Sequence, residues 1–354
     1  METGTLKQKT PMKVIISVDY NSQTPLYKQI VKIFQDHVSA GDYKVGDLIP
    51  SMNDLSNKLR ISKETVKKAY SILREMDIIE SAQGKGFYIS NKNKGKIKTL
   101  LLFDKISTYK QTLFNSFVET IGDRDRITIL LHNQDINLFE FYLNENLGKF
   151  DYYVITPHFP LCADIQKRVV KILKKIPNRQ LILLDHNIEK LKGNFGAVYQ
   201  DFENDIYNEL TQEMHFLRKY NQLNVISLAG SMYAPKLIKG IKRFTDENHF
   251  NTNFYNTINV DSIRINDSFL ILNGQVDLKL IELINAARVK GIKIGKDIGI
   301  ISYNESPINE IILDGLTVFS TDFKQMGKLA AKMIIEKSLS KVKCDFKLIK
   351  RNTF

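Results

Sequence analysis

Leu26, Ile30, Ile33, Phe34 and Val38 recur at helical spacing behind Pro25, which predicts a core-facing helix over about 25–40. The stretch "AGDYKVGD" breaks it. Ser51 can cap a second, short helix through Leu55 and Leu59, and Ser62 a third whose apolar stripe is Val66, Ala69, Tyr70 and Leu73. That stripe turns Lys63, Glu64, Lys67, Lys68 and Arg74 outward. Next, "DIIESAQGKGFYIS" alternates as two short strands about Gln83-Gly84-Lys85-Gly86, whose glycines permit a tight hairpin.

After a polar, basic tether at 91–97 the pattern changes. Apolar runs of strand length alternate with amphipathic runs of helix length: "KTLLLFD", "RITILLH", "DYYVIT", "QLILLD", "NVISLAG", "SFLILN" and "DIGIISYN". Such alternation implies parallel sheets with crossover helices, and about seven strands suit two stacked α/β subdomains better than one sheet. Ligands of such sheets bind beyond the carboxyl ends of the strands. The residues expected there are Asp104, Thr156, His158, Asp185, His186, Asn273 and Asn304, with the aromatic Phe103, Tyr109, Phe159, Tyr199 and Tyr233 nearby. Amides and carboxylates for hydroxyls, and rings for an apolar face, suit a neutral monosaccharide.

Charge sharpens the division. The 354 residues carry a net charge of +12. Residues 1–98 hold 17 Lys/Arg against 10 Asp/Glu, a net +7, which makes this quarter the candidate polyanion-binding face. Two cysteines give no disulfide framework, and the six histidines lack metal-ligand spacing, so neither metal nor cofactor is expected. The apolar runs fall far short of the ~20 residues that cross a bilayer, and the polar opening "METGTLKQKT" lacks a secretory core, so a cytoplasmic chain without membrane contact is expected.

The order "TPLYKQI" then "GDYKVGDLIPSMNDLSNKLRISKETVKKAYSILREMDIIESAQGKGFYI" resembles the winged helix-turn-helix domain of the GntR family of bacterial transcription regulators. The resemblance implies a DNA-binding domain over 1–90 that touches double-stranded operator DNA through Ser62, Lys63, Thr65, Lys67 and Gly84; the hairpin can add Gln83 and Lys85, and Asn53 is a further candidate. Where many members carry an acidic–basic pair this chain has Met52 and Asn53, and where they often have arginine it has Lys63. Lysine lacks arginine's planar fork, so a different operator sequence is expected.

Beyond the tether, "LILLDH", "AVYQDFENDIYNEL", "VISLAGSMYAPKLIKGIKRF", "LNGQVDLKLIELINAARVKGIKIGKDIGIISYNE" and "LTVFSTDFKQMGKLAAKMI" are similar, in order, to the periplasmic-binding-protein-like effector domain of lactose-repressor-type regulators. The resemblance implies a two-subdomain α/β sandwich over 98–354. Subdomain 1 is expected at about 98–197 and 319–340, and subdomain 2 at about 201–316 and 341–354. Asp185, Asn273 and Asn304 are the implied effector positions, joined by Phe103, Asp104, Tyr109, Thr156, His158 and Tyr199. Relatives have an arginine where this chain has Leu237.

Together these point to a repressor of sugar-metabolism genes, a homodimer held mainly through subdomain 1 and controlled by a small effector. The alternative is an enzyme: an aminotransferase fused to the DNA-binding domain, or a sugar-modifying α/β protein. Against it, the larger half is cramped for the former, and no G-x-S-x-G, phosphate loop or metal cluster occurs.

Overall fold

A computed structural model describes residues 14–82, 86–90, 96–227, 232–257, 261, 263–272 and 278–354. The chain divides into two compact units, Met1–Lys96 and Ile97–Phe354.

In the first unit, α1 (Leu26–Ala40), α2 (Met52–Leu59) and α3 (Lys63–Glu75) precede a hairpin of β1 (Ile79–Ala82) and β2 (Gly86–Ile89). The serine caps form as the sequence predicts. Ser51 Oγ accepts from the Asp54 amide and Ser62 Oγ from the Thr65 amide, each at 3.1 Å. Arg60, in the left-handed conformation, turns the chain between α2 and α3. Ile30, Phe34, Leu55, Val66, Ala69, Tyr70 and Leu73 fill the core, and the Tyr70 hydroxyl donates to the Pro50 carbonyl at 2.7 Å. Residues 46–49 bond to β2, through Gly46 to Ile89 and Ile49 to Phe87, and widen the hairpin.

The second unit contains two six-stranded sheets. Its first half runs β3 (Ile97–Phe103), α4 (Thr108–Ile121), β4 (Asp125–Leu131), α5 (Ile136–Asn146), β5 (Tyr152–Ile155), α6 (Ala163–Leu173), β6 (Leu181–Asp185) and β7 (Gly196–Tyr199). The chain then crosses to α7 (Phe202–Gln212), α8 (Met214–Leu217), β8 (Gln222–Ile226), α9 (Ala234–Asn248), β9 (Thr252–Tyr255), β10 (Asp267–Ile271), α10 (Leu278–Val289), β11 (Gly299–Tyr303) and β12 (Thr317–Thr321). It returns through α11 (Phe323–Ile335) and β13 (Lys341–Lys343), and ends on β14 (Phe346–Ile349).

The first sheet is ordered β13-β7-β6-β5-β3-β4 and is parallel throughout; the second is β14-β12-β11-β10-β8-β9, with β14 antiparallel to β12. All seven strands expected from the sequence are present. Thr317–Thr321 lies in the second sheet and Lys341–Lys343 in the first. The subdomain limits therefore differ from the expected 319–340 and 341–354, because a strand belongs to the sheet that satisfies its backbone.

Two glycines set helix spacing. A Cβ on Gly327 of α11 would lie 2.1 Å from the Leu113 carbonyl oxygen of α4, and one on Gly240 of α9 would lie 2.2 Å from that of Glu203 in α7. Three segments join the sheets: Tyr199 to Phe202, Thr321 to Phe323 and Lys343 to Phe346. They are tied together where the Cys344 amide donates to Tyr199 O at 2.8 Å and the Asp322 amide to Asp345 O at 2.9 Å.

Candidate functional site

The first unit presents its candidate DNA face on the start of α3. Val66, Ala69, Tyr70 and Leu73 are buried, so Ser62, Lys63, Lys67 and Lys68 are left exposed, with Thr65 half-buried. Asn53 is exposed on the first turn of α2. Lys67 Nζ lies 3.6 Å from Glu64 Oε1 in a loose exposed pair, whereas Lys68 is held 4.1 Å above the Tyr27 ring. Such a pair is worth little in water, which leaves Lys67 able to exchange a carboxylate for a phosphate. Gln83, Gly84 and Lys85 lie outside the described residues.

The candidate effector site begins at the carboxyl ends of β3, β5 and β6. Asp104 follows β3, Thr156 and His158 follow β5, and Asp185 ends β6; all four are buried. The Thr156 hydroxyl donates to Asp104 Oδ1 and accepts from the Asp104 amide, both at 3.0 Å. Lys110, on α4, is itself 1% exposed; its ammonium donates to Asp104 Oδ1 and lies 3.4 Å from His158 Nδ1. His158 sits between carboxylates, with Nδ1 3.6 Å from Asp104 Oδ2 and Nε2 2.9 Å from Asp185 Oδ2.

The protonation states follow from this arrangement. Burial pushes the Asp104 carboxyl up, but His158 and then Lys110 overcome it and hold it well below the usual carboxylate range. Asp185 is lowered in the same way by His158, Lys110 and Gln200 against its burial. Burial and Lys110 press the His158 imidazole down; Asp185 and Asp104 outweigh them and raise it. His186 is different. Burial, then the charge of Lys236, push it down to about 3, so it is neutral.

Residues from beyond the first sheet complete the site. Gln200, in the first connecting segment, donates from Nε2 to Asp185 Oδ1, while its Oε1 accepts from Thr321 Oγ1 at 2.8 Å and from the Tyr303 hydroxyl at 3.4 Å. One carboxamide thus bonds the end of β6 to the ends of β11 and β12. Tyr233, preceding α9, stacks on Phe202 with centroids 4.4 Å apart and places its ring 4.9 Å from that of His158. Burial, then Asp185 and Asp104, raise the Tyr233 and Tyr109 phenols, which stay protonated and able to donate. Asp104 Oδ2, the Tyr233 hydroxyl and Asn304 Oδ1 are buried with no hydrogen-bond partner among the described residues. Asp185 and Asn304 end equivalent strands of the two sheets with φ of 69° and 68°, the left-handed region that Asp and Asn tolerate better than most side chains.

The structure thus brings Asp104, Thr156, His158 and Asp185 together. Tyr109 packs at 4.5 Å on Phe323. Phe103 is buried in the core with Leu113 and Phe117, the cluster against which Tyr109 also packs. Tyr199 packs half-buried against the core of the first sheet, and its Cα pairs with that of Asp185. Asn273 lies outside the described residues.

Sequence reasoning missed Lys110, Gln200, Tyr303 and Thr321. Lys110 had a signal, since it shares the apolar face of α4 with Leu113 and Phe117 at helical spacing. It also missed His132, which stacks on Phe159 at 4.6 Å, holds the Thr156 carbonyl at 3.1 Å and is pushed by burial down to about 4.

Residues 26–89 match the family described as bacterial regulatory proteins, gntR family, and residues 272–342 match a periplasmic binding protein-like domain. The HTH-type transcriptional repressor YtrA of Bacillus subtilis (strain 168) is 35% identical over 99 residues, which are 28% of this chain and 73% of YtrA. The chain belongs to the GntR family. Another relative is the mannosyl-D-glycerate transport/metabolism system repressor MngR of Escherichia coli (strain K12), 35% identical over 68 residues; the match spans 19% of this chain and 28% of MngR. Both relatives are repressors.

Among solved structures, the lac repressor bound to ONPG superposes with a TM-score of 0.59 at 13% identity, over 83% of this chain and 92% of that one. A periplasmic binding protein/LacI transcriptional regulator from Alkaliphilus metalliredigens QYMF, complexed with D-xylulofuranose, gives 0.53 at 15% identity, over 73% and 99%. At these identities the likeness is one of fold: a GntR-type DNA-binding unit precedes a LacI-like pair of sheets. Among the described residues no helix is long and apolar enough to cross a membrane, and no cluster of His, Cys, Asp or Glu could hold a metal ion.

Proposed function

We propose that this chain is a cytoplasmic, homodimeric repressor that binds operator DNA through the start of α3 and the β1–β2 hairpin. Its affinity is set by a hydroxyl-rich small molecule, a monosaccharide, bound between the two sheets of the second unit. The observation that carries the effector reading is the buried carboxylate edge of Asp104: its Oδ2 receives no hydrogen bond among the described residues, with His158 Nδ1 standing 3.6 Å away, and the Tyr233 hydroxyl is likewise unpartnered. Buried acceptors and donors in a native protein have partners, and a ligand's hydroxyls supply both kinds. The ring of Tyr233 offers the apolar face that a sugar covers.

The coupling is thermodynamic. An effector that prefers one arrangement of the sheets moves operator affinity by its differential affinity for the two arrangements, and by no more. Gln200 lies on that route, because the side chain that fixes Asp185 also holds Tyr303 and Thr321. The test has two steps. The full chain first selects duplexes from a random library; binding to the selected duplex is then measured by anisotropy against a panel of monosaccharides. A palindromic duplex whose affinity shifts with one sugar supports the reading. No enrichment of any duplex would contradict it.

A further inference from the structure

We infer that the cleft accepts an uncharged effector and rejects the phosphate esters and acids of the same compounds. This rests on the reading above that a hydroxyl-rich small molecule binds there.

Four ionisable side chains occupy the ends of the first sheet: Asp104, Lys110, His158 and Asp185, with side-chain exposures of 1%, 1%, 8% and 1%. They are linked in one chain of contacts, Lys110 to Asp104, Asp104 to His158 at 3.6 Å, and His158 to Asp185 at 2.9 Å. One ammonium and two carboxylates sum to zero with the imidazolium and to one negative charge with neutral imidazole. In neither state is there net positive charge for an anion. The lysine is not spare, because its ammonium is committed to Asp104; a phosphate could recruit it only by stripping a buried carboxylate of its counter-ion.

The unfilled hydrogen-bonding capacity has the complementary character. Asp104 Oδ2 and Asn304 Oδ1 are acceptors that call for donors, and they outnumber the Tyr233 hydroxyl, which can donate. A ligand hydroxyl provides a donor. A dianionic phosphate or a carboxylate provides none, and would bring its oxygens towards two carboxylates in a site where burial weakens screening.

A further cation, Lys236, stands outside this buried chain of contacts. Leu237 is buried in the core of the second sheet. Lys236, on the first turn of α9, is half-exposed and is felt by neutral His186.

The experiment is calorimetric titration of the full chain with matched sets: glucose, glucose 6-phosphate and glucuronate; galactose, galactose 1-phosphate and galacturonate; fructose and fructose 6-phosphate. The expected result is binding of a neutral member, with its ester and acid at least 100-fold weaker. An ester or acid that binds as tightly as its parent, drawn in by Lys236, would overturn the inference while leaving the hydroxyl-rich reading standing. Silence across all the sets contradicts that reading, and the inference falls with it. Asp104→Asn and Asp185→Asn each remove one negative charge. In whichever variant keeps a cooperative thermal transition, the ratio of ester to neutral affinity should rise at least tenfold, and an unchanged ratio would also overturn the inference.

Discussion

Lys63 and Lys67 stand apart from the core residues of α3, so their replacement tests DNA contact without disturbing the fold. Lys63→Ala and Lys67→Ala should each keep the thermal transition of the parent and weaken binding to the selected duplex. A lysine that meets only phosphate should lower the slope of log affinity against log salt by about 1 and weaken all sequences alike, whereas one that reads a base relaxes preference at one position. Affinity equal to the parent in both variants would remove α3 from the groove. At His158 the neighbouring charges predict a pH dependence. Its imidazole is raised in the folded chain, so the stabilisation it draws from Asp185 and Asp104 is complete below the ordinary value of about 6.5 and is lost as pH climbs through the folded value. The two carboxyls are lowered, so their contribution holds above the ordinary value of about 4 and is lost as pH falls through theirs. The urea midpoint of the full chain should therefore decline as pH is raised above 6.5, and His158→Gln should flatten that decline. Equal slopes in parent and variant would mean that His158 is neutral throughout.

At the scale of elements, the sharpest expectation concerns Gly327. Glycine in an exposed helix interior is normally improved by alanine, by about 1 kcal/mol. Here the new Cβ would lie 2.1 Å from the Leu113 carbonyl oxygen, so α4 and α11 must separate. Gly327→Ala should instead destabilise the second unit by about 1–3 kcal/mol, the usual cost of overpacking, read from chemical denaturation. A more stable variant would show that the two helices have room to part. The same contrast explains what was legible. The three helices, the hairpin and seven of the strands rest on local signals: caps, periodicity and apolar runs. β7, β9, β12, β13 and β14 were not anticipated as strands. β7, β9 and β14, at four residues, are as short as the anticipated β5, and β13 is three; they exist because neighbouring strands satisfy their backbones. In the site, Asp104, Thr156, His158 and Asp185 were legible as polar residues closing apolar strands. Gln200, Tyr303 and Thr321 were not, since only the crossing of the chain between sheets puts them within reach of one another.

For the whole molecule, two units of different character share one chain, and regulation requires that they be thermodynamically linked. A homodimer supplies two recognition helices and favours a palindromic site; a single α3 offers too few contacts to select one sequence among a genome's competitors. The link itself is tested most directly by anisotropy titrations of the selected duplex with the parent and with Asp185→Ala, each without and with the monosaccharide that the parent binds. Asp185 belongs to the second unit, bonded to Gln200 and paired with His158, so its loss removes no side chain of the candidate DNA face and the variant should still bind the selected duplex. A buried hydrogen bond to a ligand hydroxyl is worth about 1–3 kcal/mol, so the sugar concentration at half-response should rise by about one to two decades. An Asp185→Ala variant that responds at the parent's sugar concentration would contradict the placement of the effector between the sheets.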